Sequence, residues 1–395
     1  MLFFMKERAQ CTGCGACYNI CPIKCITMEK DEEGFLYPTA SDRCVHCGKC
    51  QTVCPAVTGK ENENIPMQQK AYCALTRDKK VWRQSTSGGA FTEICKAWDN
   101  GDSIFCGAAW TDLDVGHQCV QSIDEIKSLR KSKYVASDTR DVFKEIKDHL
   151  KAGKRIVFCG TPCQVAGLKR FLGKEHENLL LIDLICHGVG SPDVFRACVR
   201  NLSNQFGGRV CSYEFRAKRD AHQTDYLQKI EKENGKVLYI QKDPYIQLFL
   251  SQHCLRPSCG KNCRYRSEHR QGDITIADFK GLTEVFPDLN GCKRNYSSVI
   301  VNTPKGESII PKLEKTMELR ECSIEDIKKY NPLFYRHTWD SEKREVFFQE
   351  FIASPDQTIE SWCKPAQLVE DTLKRKIWRL LPAKMRKAVL EAHKG

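Results

Sequence analysis

Eight cysteines near the start of the chain repeat one spacing twice. Each run has three cysteines separated by two residues, then a fourth three residues further on, followed by proline. The runs extend from Cys11 to Pro22 and from Cys44 to Pro55, with matching cysteines 33 residues apart. The spacing is typical of two-cluster ferredoxins, in which the fourth cysteine of each run binds the other run's 4Fe-4S cluster. The predicted ligands are Cys11, Cys14, Cys17 and Cys54 for the first cluster, and Cys44, Cys47, Cys50 and Cys21 for the second.

Two other interpretations fit these cysteines less well. Zinc sites usually combine two Cys-x2-Cys pairs across a longer spacer, whereas here three cysteines share one short run and proline follows the fourth. A disulfide framework is typical of small secreted chains, but this chain is long, and residues 2–5 are too few for the core of a signal peptide. Cys25, just beyond the first run, fits a buried free thiol.

Composition narrows the class of protein. With 395 residues the chain is long enough for two or three domains, and no stretch approaches the roughly 18 apolar residues of a membrane span. The 24 cysteines without an export signal predict a cytoplasmic protein with reduced thiols. The formal net charge of +12 favours acidic partners, such as an acidic electron donor, a flavin pyrophosphate or an anionic membrane surface. No recognition motif supports a nucleic-acid partner.

The predicted secondary structure around these cysteines differs between the first 58 residues and the rest of the chain. Residues 1–58 form the predicted α+β ferredoxin-like domain, with a hairpin from Ile26 to Tyr37 between the two runs. Residues 59–69 are a polar linker. Beyond it, short apolar strands alternate with helical segments, which predicts α/β layering. The predicted strands are 71–75, 103–107, 155–159 and 179–186, and the predicted helices are 89–98, 139–151 and 162–172.

Further cysteines follow two of these strands. Cys163 comes just after strand 155–159, and Cys186 ends the next strand. Thr161 and Ser191, each followed by proline, are predicted to cap the helices that come next. In open α/β sheets ligands bind at the carboxyl ends of the strands, yet spacing alone fits two buried thiols equally well. A third group favours a ligand role, because Cys254, Cys259 and Cys263 share a basic, loop-like stretch.

Together these segments resemble the beta subunit family of hydrogenases and dehydrogenases that use the deazaflavin coenzyme F420. The resemblance covers about residues 70–345, and its motifs are specific in combination. The matching segments are Ser85–Phe91, Ser132–Ser137, Gly160–Gln164, Ile185–Gly188, Leu255–Cys259 and Asp273–Gly281.

The resemblance implies an α/β domain that binds FAD and carries a third 4Fe-4S cluster. It divides residues 70–345 into a flavin-associated region at 70–152 and a domain with the third cluster at 153–345. The residues that follow, 346–395, are predicted to be a helical tail. The implied flavin-binding residues are Ser87, Gly88, Gly89, Lys133, Tyr134, Ser137, Gly160 and Thr161. For Gly88 and Gly89 the residues themselves support a pyrophosphate site at a helix N-terminus, although an ordinary helix cap explains them as well. The implied ligands of the third cluster are Cys163, Cys186, Cys259 and Cys263.

The chain departs from the family pattern at the last ligand. The family usually separates the final two cysteines by two residues, whereas three residues lie between Cys259 and Cys263. Cys254 is therefore the alternative fourth ligand. Ala277 and Lys280 also stand where the family usually has Gly and Trp, so contacts at those two positions do not carry over.

No residue is assigned as catalytic. His187 follows a predicted ligand, but a local backbone hydrogen bond explains such a histidine better than proton transfer does. Asp278 is interpreted as an ordinary carboxylate at the end of a strand. Residues 366–395 interleave basic and apolar residues around Trp378 and Pro382, which suits peripheral membrane contact, partner docking or packing on the body of the protein.

The sequence thus predicts an iron–sulfur, flavin-dependent oxidoreductase. Electrons would pass from a low-potential, ferredoxin-type donor through the clusters to FAD and an organic or deazaflavin substrate. The expected partners are a ferredoxin or a hydrogenase- or dehydrogenase-type subunit, a small-molecule substrate and further copies in an oligomer. The alternative is an electron-transfer subunit or accessory protein without its own substrate, in a larger complex such as one of bacterial surface-polysaccharide synthesis.

Overall fold

The computed structural model describes residues 2, 7–57, 69–219, 227–260, 263–335 and 341–369. The strands are β1 (Ile26–Lys30), β2 (Leu36–Ala40), β3 (Lys70–Thr76), β4 (Ile104–Thr111), β5 (Asp114–Val120), β6 (Ile156–Cys159), β7 (Leu179–Leu184), β8 (Val210–Ala217), β9 (Leu227–Lys232), β10 (Val237–Gln241), β11 (Ile274–Asp278), β12 (Ser297–Val301), β13 (Met317–Cys322) and β14 (Gln367–Leu368). The α-helices are α1 (Ala16–Ile20), α2 (Lys49–Thr52), α3 (Lys79–Arg83), α4 (Ala90–Trp98), α5 (Val142–Lys151), α6 (Pro162–Leu172), α7 (Pro192–Phe206), α8 (Pro244–Leu250), α9 (Leu282–Val285), α10 (Pro304–Glu307), α11 (Ile310–Thr316), α12 (Ile324–Tyr330), α13 (Ser341–Ala353) and α14 (Pro355–Trp362).

The ferredoxin-like part has the predicted hairpin and an internal repeat. Strands β1 and β2 pair antiparallel, and Asp31 accepts a hydrogen bond from the Phe35 amide at 2.8 Å across the turn. In each cysteine run a glycine with positive φ, Gly15 at 77° and Gly48 at 73°, precedes a short helix, α1 or α2. Only glycine adopts this left-handed backbone without steric cost. The repeat in the sequence is therefore a repeat in the backbone.

A mixed eight-stranded sheet forms the centre of the molecule, in the order β13-β3-β12-β11-β7-β6-β4-β5. Strands β4, β6, β7 and β11 are parallel, and antiparallel strands flank them on both sides. The carboxyl ends of β6, β7 and β11 consequently meet at one edge, the position where open α/β sheets bind ligands. We call this the carboxyl edge, formed by the residues that directly follow these three strands.

The predicted helix caps are confirmed. Thr161 and Gln164 form a reciprocal capping box at the start of α6, and the Ser191 hydroxyl accepts a hydrogen bond from the Val194 amide at the start of α7. Each cap satisfies amide groups that have no partner inside the helix, and proline at the first helical position removes another. The caps fix where the chain turns from β6 and β7 into the next helix, and so they fix the position of Cys163.

A second sheet packs beside the first. Its order is β14-β10-β9-β8, and all of its pairs are antiparallel. Aromatic side chains fill the core next to it, including Phe195, Phe215 and Tyr245, whose rings lie between 5.1 and 5.9 Å apart. The same core contains Phe35 of the hairpin and Phe348 of α13, at 6.4 Å. The ferredoxin-like part therefore shares a hydrophobic core with the rest of the molecule.

The central sheet crosses the predicted boundary between 70–152 and 153–345. Strands β3, β4 and β5 come from the first region and the other five from the second, so the two regions share one sheet. Helix α13 begins before residue 346, and β14 joins the tail region to β10. Most of the predicted linker and the basic segment from residue 370 onward lie outside the described residues. Among the residues described, none of the helices has the length and hydropathy needed to span a membrane.

One pair of cysteines is joined by a disulfide bond. Cys106 of β4 and Cys119 of β5 are directly opposed in the antiparallel register, with their Cα atoms 4.1 Å apart. Opposed positions on antiparallel strands bring side chains close together, which makes the link possible. The cysteine count, interpreted as reduced thiols throughout, did not predict this bond.

Candidate functional site

The first predicted ligand set surrounds one cavity. Cys11, Cys14, Cys17 and Cys54 line it, together with Gly13 and Pro55 among others. Cys54 comes from the second cysteine run and the other three come from the first. We call this the inner cavity, because Cys11 and Cys14 are buried and the surrounding loop packs against α6.

The second ligand set surrounds another cavity. Cys21, Cys44, Cys47 and Cys50 line it, and Cys25 lines the same space as a fifth cysteine. Cys47 is exposed. We call this the outer cavity. The structure therefore brings together the crossed sets of four that the spacing predicts, while binding of iron by them stays a prediction.

Cys14 of the inner cavity is better suited to a cluster ligand than to a free thiolate. Burial, reinforced by the neighbouring Cys11 and Cys54, raises the pKa of Cys14 to about 12. A buried thiol of this kind ionises more readily with a cation beside it, and bound iron would provide that charge. Among the described residues, no three His, Cys, Asp or Glu side chains converge on one point as the ligands of a single metal ion would.

A buried arginine joins the inner cavity to the body of the protein. Arg256 donates to the Cys11 carbonyl at 2.8 Å and to the Leu36 carbonyl at 2.9 Å, and its guanidinium lies 3.6 Å from Cys11 Sγ. The Tyr37 ring lies 4.2 Å from the same guanidinium carbon. Although Arg256 is adjacent to a predicted ligand in sequence, only the three-dimensional contacts show that it lies beside the first predicted ligand set.

The third predicted ligand set also comes together. Cys186, Cys259 and Cys263 lie close enough to interact electrostatically, and Cys163 interacts with Cys186 and Cys259. Burial raises the pKa of Cys186 to about 12 and that of Cys259 to about 11. We call these four residues the third cysteine group. It lies at the carboxyl edge, because Cys163 and Cys186 follow β6 and β7 directly.

The alternative ligand Cys254 lies elsewhere. It is fully buried, and its neighbours include Arg344 and Cys363. Its carbonyl accepts the Ser191 amide at 2.9 Å, which places it beneath the start of α7. The position of Cys263 therefore favours it over Cys254 as the fourth ligand.

The third cysteine group is next to the inner cavity. Cys163 interacts electrostatically with Cys14. One turn along α6, a methyl group added to Gly167 would come within 2.9 Å of Cys14 Sγ. Helix α6 thus contributes to the third group at its first turn and to the wall of the inner cavity at its second.

The predicted pyrophosphate loop makes close contacts with the sheet. The Ser87 hydroxyl donates to the Tyr296 carbonyl at 2.6 Å, and the Gly88 amide donates to the Ser297 hydroxyl at 2.9 Å. A side chain at Gly88 would meet the Ala74 carbonyl at 2.2 Å, so glycine is required here by space. Gly89 is the N-cap of α4. Ser87 and Gly88 therefore have a structural role, and their contact with a flavin stays a prediction.

The other predicted flavin residues form two groups near the carboxyl edge. Gln164 bonds to the Ser137 hydroxyl at 3.0 Å and accepts from the amide and hydroxyl of Thr161. Gly160, at the end of β6, is bonded through its amide to the Ile182 carbonyl. The Tyr134 ring packs against Phe249 at 4.7 Å, and its hydroxyl accepts from Arg216 at 3.3 Å.

Cations are concentrated around the same edge. Arg216 pairs with Asp278 at the end of β11, at 2.6 Å. Lys218 donates to the Ser87 carbonyl at 2.8 Å, and burial, with Arg216 nearby, lowers its pKa to about 7. Burial likewise lowers the pKa of Lys133 to about 7 while its ammonium group donates to the Arg130 carbonyl at 2.7 Å. An anionic ligand would favour the charged forms of both lysines.

His187 has the backbone partner that was expected of it. Its Nε2 lies 3.0 Å from the Phe249 carbonyl, and burial lowers its pKa to about 4. Arg216 and Lys218 were not identified from the sequence. Alternating strand residues gave no signal that distinguished them, because the signal is their position opposite Asp278 and Ser87 in the folded chain.

Two family models match the chain. Residues 153–327 match the model of the C terminus of the coenzyme F420 hydrogenase/dehydrogenase beta subunit, and residues 10–57 match that of the 4Fe-4S dicluster domain. Among solved structures, a chain of the F420-reducing NiFe hydrogenase complex from Methanosarcina barkeri is 17% identical, with a TM-score of 0.46, and the match covers 75% of this chain and 92% of that chain. Curated proteins gave no match.

Proposed function

Because the chain belongs to the coenzyme F420 hydrogenase/dehydrogenase beta subunit family and carries a fused two-cluster 4Fe-4S ferredoxin domain, we propose that it is an iron–sulfur flavoprotein oxidoreductase. In this proposal electrons enter from a low-potential donor, pass through three clusters and reach FAD, which reduces an organic or deazaflavin substrate. The supporting observation is the grouping of the twelve predicted ligands into three sets of four, with Cys14 of one set beside Cys163 of the next.

The contacts suggest an order for the relay. The outer cavity contains the exposed Cys47, so it is the site that a donor protein can approach. The inner cavity adjoins the outer one within a single small domain and adjoins the third cysteine group through α6. When bound, the clusters would supply one-electron transfers and FAD would combine two of them into a hydride. The protein's contribution is to hold these groups in sequence and to shield the inner ones from water.

The carboxyl edge has suitable residues for FAD. Burial disfavours the charged forms of Lys133 and Lys218, and an anionic pyrophosphate or reduced flavin ring would restore them by compensating for the loss of hydration. The hydroxyls of Tyr134, Ser137 and Thr161 lie along the same edge. Since the third cysteine group also lies there, a flavin at this edge would be next to the last cluster.

The outer surface supports an acidic redox partner. Lys24, Arg43 and Lys49 are exposed near the outer cavity, and none of them forms an ion pair with another described residue. Ile23 and Val45, which line the outer cavity, are also exposed. An apolar patch with a basic rim suits a small acidic electron carrier such as a ferredoxin.

The test is anaerobic purification followed by quantification of iron and flavin on one sample. We expect about twelve irons and one FAD per chain. The reduced protein should then be mixed in turn with a deazaflavin, a nicotinamide and a ferredoxin. Cys163→Ser with Cys186→Ser should leave about eight irons and both ferredoxin-type clusters, whereas Cys254→Ser should leave about twelve.

The outcomes separate the parts of the proposal. About eight irons in the unmodified protein would contradict the proposed third cluster, and absence of flavin would contradict the proposed FAD. A chain that contains iron but no flavin and is reoxidised only by proteins would be an electron-transfer subunit without its own substrate.

A further inference from the structure

The outer cavity has one cysteine more than a 4Fe-4S cluster needs. Resting on the proposed clusters, we propose that Cys25 donates an S–H hydrogen bond to the iron-bound sulfur of Cys21, and that this bond raises the reduction potential of the outer cluster. The two sulfur atoms are 3.5 Å apart, and the Cys25 amide also points at Cys21 Sγ at 3.4 Å. Cys25 is only 3% exposed.

The direction of this hydrogen bond follows from the chemistry of ligation. A sulfur that binds iron has lost its proton, so it can only accept. Of the two sulfur atoms, Cys25 alone would keep a proton when Cys21 is a ligand. The backbone holds Cys25 in place, because its carbonyl accepts the Ser41 amide at 2.9 Å and β1 begins at the next residue. The thiol is therefore fixed against the ligand and is not a mobile spare group.

A donor at a ligand sulfur changes the redox equilibrium. Reduction adds one negative charge to the cluster and its thiolates, so a hydrogen bond to a ligand sulfur is stronger in the reduced state. The amide of Cys25 acts on the Cys21 sulfur, and its thiol is within hydrogen-bonding range of Cys21 and also of Cys44, another predicted ligand of the same cluster. Removing the side chain would leave the amide in place. Among the described residues, the lining of the inner cavity contains no fifth cysteine. In the repeat, the residue 33 positions after Cys25 is Thr58.

The experiment is a potentiometric titration of the whole protein, followed by electron paramagnetic resonance, in Cys25→Ala and Cys25→Ser. In Cys25→Ala we expect the equilibrium constant for reducing the outer cluster to fall by up to about tenfold, which is 59 mV for one electron. Cys25→Ser retains a hydroxyl donor, so its shift should be smaller. Infrared spectra should lose one S–H stretching band in both variants. The inner cluster in the same sample is the internal reference.

A matched control is Cys198→Ala, which removes another fully buried thiol, in α7. It should leave both potentials unchanged. An unchanged outer potential in Cys25→Ala, with iron intact, would overturn the hydrogen bond while leaving the proposed function standing. Loss of about four irons in both Cys25 variants would overturn it too, because Cys25 would then be a ligand. A wild-type protein without an outer cluster would instead contradict the proposed function.

Discussion

The inner and outer cavities have the same ligand pattern and opposite surroundings. The inner one is covered by α6 and contacts the fully buried Arg256, whereas the outer one has the exposed Cys47 and the exposed Val45, at 64%. Two copies of one sequence motif thus differ through what the rest of the chain places against them. The difference gives the pair a direction, from a surface that meets a partner to an interior that meets the third cysteine group.

The two cavities also differ in the groups near their ligand sulfurs. A guanidinium lies near Cys11 Sγ in the inner cavity, and a neutral thiol lies near Cys21 Sγ in the outer one. A full positive charge stabilises added negative charge more than a neutral, weak donor does. We therefore expect the inner cluster to have the higher potential, which would draw electrons inward.

The largest expected effect comes from breaking one cavity at a time. Cys14→Ser and Cys47→Ser should each reduce the iron content from about twelve to about eight. Only Cys14→Ser removes the neighbour of Cys163, so it should abolish donor-driven reduction of the third cluster. Cys47→Ser should still allow a small viologen reductant to reach the inner cluster and, through it, the third.

Iron quantification and freeze-quenched electron paramagnetic resonance, with each reductant, provide the measurement. The reverse pattern, with viologen reducing the third cluster in Cys14→Ser but not in Cys47→Ser, would contradict the assigned direction.

Arg256→Met should be the next largest effect. It leaves the Cys11 and Leu36 carbonyls without their donor, at about 1–3 kcal/mol for each buried group, and so should lower the free energy of unfolding by several kcal/mol. The reduction potential of the inner cluster should fall below that of the outer cluster. Urea unfolding under anaerobic conditions and redox titration measure the two effects.

The control is Arg264→Met. Arg264 is exposed and donates to the Pro55 carbonyl at 2.7 Å, beside the same cavity. Because water can replace it, its loss should cost less than about 1 kcal/mol. Equal effects of the two substitutions on the inner potential would show that burial of Arg256 is unimportant.

The contrast between Cys14 and Arg256 shows how far the sequence leads. Spacing predicts the ligand sets and the hairpin, because one local run of cysteines must fold around one cluster. Arg256 acts on Cys11 from 245 positions away, and no local pattern encodes that contact. The same limit applies to Gly88, which suggests a phosphate loop in sequence and fills a close contact with β3 in the structure.

The choice between Cys254 and Cys263 has a similar origin. Both spacings are near the family pattern, so sequence left the fourth ligand open. The chain after α8 turns Cys254 into the core beneath α7 and brings Cys263 out beside Cys259. The positions of Cys254 and Cys263 therefore depend on packing between elements that are distant in sequence.

The basic rim of the outer cavity should have a moderate, salt-dependent effect. Lys24→Glu with Lys49→Glu should slow reduction by an acidic ferredoxin by about tenfold at low ionic strength, and the difference should shrink as salt is added. Stopped-flow kinetics measures the rate. Lys127→Glu with Lys315→Glu, which reverses two exposed charges elsewhere, is the control. An equal slowing in the control would mean that net charge, and not this surface, steers the donor.

The smallest effects should come from two glycines, one at each cavity. Gly167→Ala gains up to about 1 kcal/mol in helix propensity, but its methyl group would lie 2.9 Å from Cys14 Sγ, and overpacking typically costs about 1–3 kcal/mol. We expect the free energy of unfolding to fall by about 1 kcal/mol and the spectrum of the inner cluster alone to change, because the added methyl group would press against Cys14. Anaerobic urea unfolding and electron paramagnetic resonance detect both.

Gly48→Ala tests whether backbone conformation, and not packing, requires glycine at this position. No atom lies within 4 Å of the added methyl group, but φ is 73°, and a left-handed backbone costs a non-glycine residue about 1–2 kcal/mol. Asparagine tolerates this conformation better, so Gly48→Asn should recover part of the loss, whereas Gly167→Asn should be worse than Gly167→Ala. If asparagine were more stable than alanine at both positions, backbone conformation would explain both glycines. Packing of the inner cavity against α6 would then not explain Gly167.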